Sequence, residues 1–103
     1  MFWRKNWGLA EMSVLYNLSP TKIILYGVYW CGDCRRARRI FAEKAIPFMD
    51  IDIEKDEKAT EFVKSLNRGY QSVPTIIFPD GSTLTEPDSL TLAKKLETYQ
   101  PTA

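Results

Sequence analysis

The sequence predicts an α/β protein with a four-stranded mixed sheet flanked by three helices, in the order β-α-β-α-β-β-α. Short runs of β-branched and aromatic residues alternate with longer segments in which apolar residues recur at helical spacing. Helical crossovers make the first two strands parallel, and a tight turn makes the last two antiparallel. A chain of 103 residues can bury one modest core, so we expect one domain with helices on both faces of its sheet.

The first strand and the first helix surround the stretch that carries both cysteines. KIILYGVY, residues 22–29, is a short apolar run typical of a buried strand. A helix is expected over residues 32–45, and Pro47 prevents its continuation. Its apolar side, at helical spacing, consists of Cys34, Ala37, Phe41 and Ala45.

The second strand and the second helix follow directly. FMDIDIE, residues 48–54, alternates apolar and acidic residues with a period of two, which is typical of a strand. Asp56 can cap the next helix, and Asn67 with Gly69 can end it. The apolar face of that helix consists of Ala59, Phe62, Val63 and Leu66.

Two short strands and a helix complete the prediction. TIIF, residues 75–78, is the third strand, and the turn PDGS, 79–82, leads into the fourth, STLTE. Asp88 begins the last helix and Pro101 lies beyond its end. The inner face of this helix consists of Leu92, Leu96 and Tyr99.

Composition and charge exclude several classes of protein. With 14 Lys and Arg against 13 Asp and Glu the net charge is +1, so no bulk field would attract nucleic acid or an anionic membrane. No run approaches the roughly 20 apolar residues of a membrane span. Polar residues interrupt the N-terminal segment, which makes it a poor signal peptide. We therefore expect a cytoplasmic protein with neither nucleic acid nor a membrane as partner.

The two ends of the chain have different expected roles. We expect residues 21–100 to form the domain and residues 1–20 to form an N-terminal extension of uncertain structure. Met12 could be the true start of the protein, or the extension could cover an apolar patch on the domain. The apolar residues available for such a contact include Trp3, Trp7 and Leu9.

Both cysteines lie in YWCGDCRR, residues 29–36, and could form a structural disulfide, half of a metal site or a working dithiol. A bridge across three residues closes a very small loop and constrains little of the unfolded chain. Because histidine is absent, a zinc site would need carboxylates or a second chain. The pair follows an apolar strand and opens a helix, which favours a redox-active dithiol.

The helix start predicts different roles for the two sulfurs. Cys31 would lie where unpaired N–H groups and the helix dipole favour thiolate over thiol, so we expect it to be the nucleophile. Cys34 falls one turn later on the apolar side and should be shielded and less reactive. It fits the resolving role, in which it attacks the mixed disulfide that Cys31 forms with a substrate.

Charged residues around the motif should modulate both thiols. Arg35 and Arg38 lie four residues after the first and the second cysteine, respectively, so both guanidinium groups can approach the sulfurs and favour the thiolate. The carboxylate of Asp33 acts in the opposite direction. The arginines expected to face away, as a solvated basic surface, are Arg36 and Arg39.

Two aromatic residues precede the motif. Trp30 is expected to form a lip of the substrate groove. For Tyr29, packing in the core and exposure beside the site remain equally open.

Three segments carry a resemblance to a known family: WCGDC at 30–34, DIDIEKDEKATEFV at 50–63 and SVPTIIFPDGSTLTEP at 72–87. Together they resemble the glutaredoxin-like redoxins of the thioredoxin superfamily, and most closely the mycoredoxin branch. The similarity extends from about residue 22 to residue 97. It implies the thioredoxin-like (glutaredoxin) fold, which agrees with the element order above.

The resemblance also implies a substrate-binding surface. It implies a cis peptide bond before Pro74, in a turn beside the cysteines, where Ser72 and the backbone of Val73 would contact an extended thiol peptide. Asp88 and Ser89 match the place where glutaredoxins bind a carboxylate of the small thiol, at a helix N-terminus. Alternatively, these two residues are simply helix caps.

Some positions depart from the family pattern. Mycoredoxins tend to have an aromatic residue where this chain has Asp33, and an arginine where it has Gln71 and Ser72. The lysine that many glutaredoxins place shortly before the motif is missing. These departures leave the exchange chemistry intact but leave the identity of the small thiol open. Monothiol, cluster-carrying glutaredoxins have serine at the position of Cys34, so the chain does not resemble them there.

The function implied by the resemblance is that of a dithiol-disulfide oxidoreductase acting on protein disulfides or on mixed disulfides of a small thiol. Glutathione or mycothiol would be the co-substrate, with no tightly bound cofactor, and a flavoprotein disulfide reductase could supply electrons instead. We expect a monomer. Two alternatives stay open: a metal or iron-sulfur module in which two chains pool their thiolates, and a dedicated electron donor to one reductase or peroxidase.

Overall fold

The computed structural model describes residues 20–99. The expectations about the N-terminal extension, Met12, Trp3, Trp7 and Leu9, and about Pro101, lie outside these residues. The described elements are, in order, β1 (Ile24–Gly27), α1 (Gly32–Glu43), β2 (Met49–Asp52), a 3-10 turn (Ile53–Lys55), α2 (Glu57–Leu66), β3 (Thr75–Ile77), β4 (Thr83–Thr85) and α3 (Ser89–Thr98). The predicted order of strands and helices is confirmed.

The four strands form one mixed sheet in the order β2-β1-β3-β4. β1 and β2 are parallel, with Ile24 opposite Met49, whereas β3 is antiparallel to both β1 and β4. The fold class is confirmed, including the direction of both predicted strand pairs. Since β1 and β3 are antiparallel, the end of β1 and the beginning of β3 lie at the same edge of the sheet.

Alternating residues of the central strands supply a separate core on each face of the sheet. Leu25 and Ile76 pack on one face with residues of α1 and α3. Ile24 and Ile77 pack on the other face with residues of the 3-10 turn and α2. The period of two along a strand produces this division, and it places helices on both faces as expected.

Helix α1 ends two residues earlier than the sequence predicts. Ala45 has a φ of 55° and is exposed, so its predicted place on the apolar side of the helix is wrong. The N–H of Ile46 donates to the Phe41 carbonyl at 3.0 Å, which closes the helix and directs Ile46 towards the core. A left-handed residue after the helix is the usual way to satisfy its last carbonyls.

The second strand is also shorter than the predicted range 48–54. The Asp52 carboxylate accepts the backbone N–H of Glu54 at 2.9 Å and turns the chain into the 3-10 segment. Ile53 is buried there beneath α2. The alternation of apolar and acidic residues therefore continues past the end of the strand, because the capped turn buries Ile53 as a longer strand would.

Candidate dithiol site

Cys31 is the N-cap residue of α1, at the junction where the chain leaves β1. Its backbone is extended, and its sulfur accepts the backbone N–H of Cys34 at 3.3 Å. The Cys31 side chain is partly buried. The predicted position at a helix start is confirmed, and one of the orphan N–H groups of that helix already points at the sulfur.

Cys34 lies one turn further along and is fully buried in the core cluster that also contains Val28. The pKa of its thiol is raised from 9.0 to about 12, mainly by burial and also by the neighbouring Cys31 side chain. A backbone hydrogen bond with Val28 and the Arg38 charge act in the opposite direction and only partly offset this rise. Cys34 therefore carries its proton at neutral pH. Both cysteines are free thiols, and the predicted shielding of Cys34 is confirmed.

The charges on α1 are paired differently from the prediction. Arg36 forms an ion pair with Asp33 at 2.9 Å, so it partly offsets the carboxylate between the cysteines rather than only facing solvent. Arg38 is the arginine that approaches Cys34, as predicted. Arg35 and Arg39 are exposed. The influence of Arg35 on Cys31 stays a prediction.

Both aromatic residues before the motif lie on the surface. Tyr29 is 70% exposed, so its packing in the core, one of two open alternatives, is wrong. Trp30 is exposed, and its indole Nε1–H donates to both carboxylate oxygens of Glu54 at 3.1 Å. Sequence reasoning missed Glu54, because nothing in local spacing relates the 3-10 turn to the residue before the motif.

The Val73–Pro74 peptide bond is cis, as the family resemblance implies. Pro74 is buried, and Val73 packs against the same core cluster as Cys31. The backbone carbonyl of Ser72 accepts the Thr75 hydroxyl at 2.7 Å. The turn is thereby held on the side of the domain that carries the cysteines.

Asn67 links that turn to two further elements, and sequence reasoning assigned it only to the end of α2. Its Nδ2 donates to the Thr75 hydroxyl oxygen at 3.2 Å and to the Val63 carbonyl at 2.8 Å, while its Oδ1 accepts the Thr85 hydroxyl at 2.9 Å. Because one side chain bonds α2, β3 and β4, the start of β3 has a defined position.

Asp88 caps helix α3. Its carboxylate accepts the backbone N–H of Thr91 at 2.7 Å, and that hydrogen bond, with a smaller contribution from the Arg36 charge, lowers the pKa of Asp88. Asp88 and Ser89 are exposed. The capping role of Asp88 is confirmed, and contact of either residue with a small thiol stays a prediction.

Residues 20–99 contain no group of three or more His, Cys, Asp or Glu side chains that could hold a metal ion. No helix in this range has the length and apolar character needed to cross a bilayer.

A family model described as Glutaredoxin matches residues 23–82, which is more than half of the chain. The chain belongs to the glutaredoxin family. Its function is accordingly of the glutaredoxin type, which is thiol-disulfide redox chemistry.

Individual relatives of this glutaredoxin agree with the family assignment. A Mycobacterium tuberculosis protein provisionally named a glutaredoxin is 40% identical over 74 residues, covering 72% of this chain and 88% of that protein. Mycoredoxin 1 of Corynebacterium glutamicum is 32% identical over 77 residues, covering 75% of this chain and 95% of that protein. The resemblance to glutaredoxins and mycoredoxins is therefore confirmed.

Solved structures agree with the fold. The holo form of glutaredoxin C1 from Populus tremula x tremuloides superposes with a TM-score of 0.62 at 14% identity, covering 86% of this chain and 87% of that one. At this identity the match concerns the fold alone, and the thioredoxin-like fold of this glutaredoxin is confirmed.

Proposed function

We propose that this glutaredoxin is a dithiol-disulfide oxidoreductase that reduces protein disulfides or mixed disulfides of a low-molecular-weight thiol. One observation supports this most strongly. Within a single helical turn, a partly exposed sulfur accepts a backbone N–H at a helix start, and a second, fully buried thiol contacts it. The pair therefore presents one sulfur to a substrate and keeps the other buried directly behind it.

Cys31 performs the first step. A thiolate at its Sγ is stabilised by the Cys34 N–H and by the N-terminal end of α1. It attacks one sulfur of the substrate disulfide, the substrate S–S bond breaks, and the departing thiolate takes a proton from water. Cys31 is left in a mixed disulfide with the other half of the substrate.

Cys34 performs the second step. After losing its proton it attacks the Cys31 sulfur, the bond from Cys31 to the substrate breaks, and the substrate leaves as a thiolate that takes up a proton. The substrate has then gained two electrons, and the two cysteines form a disulfide. Two molecules of a small thiol restore the dithiol and are themselves oxidised to a disulfide.

The substrate surface in this proposal surrounds the exposed sulfur. Trp30, fixed by Glu54, forms one lip of the groove. The opposite wall of the groove consists of Ser72, Val73 and Pro74. The site for the carboxylate of the small thiol consists of Asp88 and Ser89. An extended substrate would pair with the backbone of Val73 in the manner of an added strand.

The relatives support a first choice of electron source. Because a mycoredoxin is among them, mycothiol is our first choice of co-substrate, with glutathione or a flavoprotein disulfide reductase as the alternatives. A monomer in the reducing cytoplasm would keep both thiols free between turnovers. A coupled assay that offers glutathione, mycothiol and thioredoxin reductase in turn identifies the source by the one that sustains turnover.

Serine variants test the roles of the two cysteines. Cys34→Ser should retain reduction of a small mixed disulfide, which needs one thiol, but accumulate a mixed disulfide with insulin or another protein substrate. Cys31→Ser should lose both activities. If Cys31→Ser kept either activity at the wild-type rate, the assignment of the nucleophile would be wrong.

A further inference from the structure

The sulfur of Cys34 and the guanidinium group of Arg38 both lie against Gly27, at the end of β1. A Cβ atom at Gly27 would lie 2.8 Å from Cys34 Sγ and 3.3 Å from Arg38 Nη2. Both groups therefore occupy space that a side chain at this strand position would take. The Arg38 cation therefore lies close enough to the buried sulfur for its charge to act on it.

Arg38 is held in that place from two directions. Its Nε donates to Asp50 Oδ2 at 2.8 Å, and its Nη1 donates to the Val28 carbonyl at 3.3 Å. Asp50 belongs to β2, so the anchor comes from a different element than the arginine itself. A guanidinium group can make both bonds and still present a third nitrogen, which a lysine ammonium on a flexible stem does not do in fixed geometry.

We propose that Asp50 is a positioning residue for the resolving step: through Arg38 it keeps a positive charge beside Cys34, which stabilises the thiolate that must attack the Cys31 mixed disulfide. This inference rests on the proposed function, and it adds Asp50 to the site. Cys31 does not need the pair, because its own sulfur lies at the helix start.

The resolving step requires Cys34 to lose its proton, and a nearby positive charge favours that loss. Burial keeps the proton on Cys34, and the Arg38 charge is one of the influences that lower the pKa of its thiol. The titratable or charged groups facing the sulfur are Cys31 and Arg38, with Asp50 behind Arg38 and the phenol of Tyr26 in the same cluster. The cluster members from the 3-10 turn, α2 and β3 are apolar: Ile53, Ala59, Val63 and Ile77.

The test compares Asp50→Asn with Arg39→Gln, a change at the exposed position of α1 that follows Arg38. Asp50→Asn should lower reduction of a protein disulfide at pH 7 by roughly three- to tenfold, as expected for a shift of up to about one pKa unit at the resolving thiol. The pH profile of that activity should move to higher pH. Arg39→Gln should leave both the rate and the profile unchanged.

A second background separates positioning from a merely structural role. In Cys34→Ser, reduction of a small mixed disulfide proceeds through Cys31 alone, so adding Asp50→Asn should change it less than twofold. In Cys31→Ser, alkylation of Cys34 should require higher pH once Asp50→Asn is added. This second measurement needs no turnover and is made on protein whose folding is verified by its circular dichroism.

The possible outcomes are distinguishable. A wild-type protein that reduces no disulfide would refute the proposed function and with it this inference. Wild-type activity with Asp50→Asn indistinguishable from Arg39→Gln would refute only the inference. An equal loss in the Cys34→Ser background, or an unshifted alkylation profile, would show that Asp50 supports the fold rather than the resolving thiol.

Discussion

Cys31 and Cys34 occupy different environments although only two residues separate them. The first is partly buried at an N-cap, and the second is fully buried beneath it. Because three residues make almost one helical turn, the sulfur that caps the helix and the sulfur that faces the sheet lie close together. The division into a nucleophile and a resolving thiol is thus a consequence of where α1 begins.

The buried thiol predicts how the stability of the reduced protein depends on pH. The pKa of Cys34 is raised from 9.0 in the unfolded chain to about 12 in the fold. The contribution of the protonated Cys34 thiol to the free energy of unfolding is fully present below pH 9. It is lost as pH rises towards 12, since only the unfolded chain releases this proton in that range. The free energy of unfolding should fall by up to about 1.4 kcal/mol per pH unit through this group.

Urea unfolding of the reduced protein between pH 8 and pH 11 measures this slope. Cys34→Ala is the matched control, because it removes this thiol and leaves every other titratable group in place. The slope should be smaller in Cys34→Ala than in the wild type. Equal slopes would contradict the raised pKa.

At the scale of single elements, a left-handed alanine, Ala45, follows the end of α1 and its C-cap Lys44. Left-handed backbone costs a residue with a Cβ roughly 1 kcal/mol or more, and glycine avoids this cost. Glycine also loses more conformational entropy on folding, which offsets part of this gain. The net effect of Ala45→Gly should be a rise of about 0.5–1 kcal/mol in the free energy of unfolding. Thermal or chemical denaturation measures the difference.

Ala42→Gly is the matched control for that prediction. Ala42 is exposed and lies within α1, so the same chemical change should destabilise the protein by up to about 1 kcal/mol. Opposite signs at the two positions are expected. A loss of stability at both would contradict the role of the left-handed residue in ending the helix.

The cap of α3 allows its structural and functional roles to be separated. Asp88 and Asp56 cap α3 and α2 in the same way, each accepting a backbone N–H three residues ahead. Alanine at either position should lower stability, because a helix loses its cap. Only Asp88→Ala should also raise KM for a small-thiol mixed disulfide, if that helix start binds the thiol's carboxylate. The same change in KM for both variants would assign Asp88 to capping alone.

The existence and type of each element could be predicted from sequence, whereas several ends could not. Periods of two and of three to four residues identified the strands and helices because burial follows those periods. The ends of α1 and β2 depend on single residues: a left-handed Ala45 and the Asp52 carboxylate bonded to the Glu54 N–H. The residues just beyond each of these two ends still match the periodicity of the element. Periodicity alone therefore predicted a helix and a strand that were too long.

At the scale of the whole molecule, the residues of the candidate site lie together at one edge of the sheet. β1 ends there before Cys31, and β3 begins there after the cis Pro74. The antiparallel pairing of these two strands brings the dithiol turn and the proline turn to one side. Both this placement and the cis bond could be predicted only from the family resemblance, because the order of elements along the chain does not pair β1 with β3.

The polar partners that hold the site could not be predicted. Trp30 bonds Glu54 across 24 positions, Arg38 bonds Asp50 across 12, and Asn67 accepts from Thr85 across 18. Helical spacing relates residues three or four apart, and no local rule relates residues on different elements. These pairs become visible only when the register of the sheet and the packing of the helices are known.

The most direct test of the account is the rate at which each sulfur of the reduced protein is alkylated at neutral pH. Fragment-ion mass spectrometry locates the label, since both cysteines lie in one short segment. We expect Cys31 to be modified first and faster than a cysteine in an unstructured peptide, while Cys34 stays unmodified in the folded protein at this pH. Equal rates at the two sulfurs, or faster labelling of Cys34, would contradict the account.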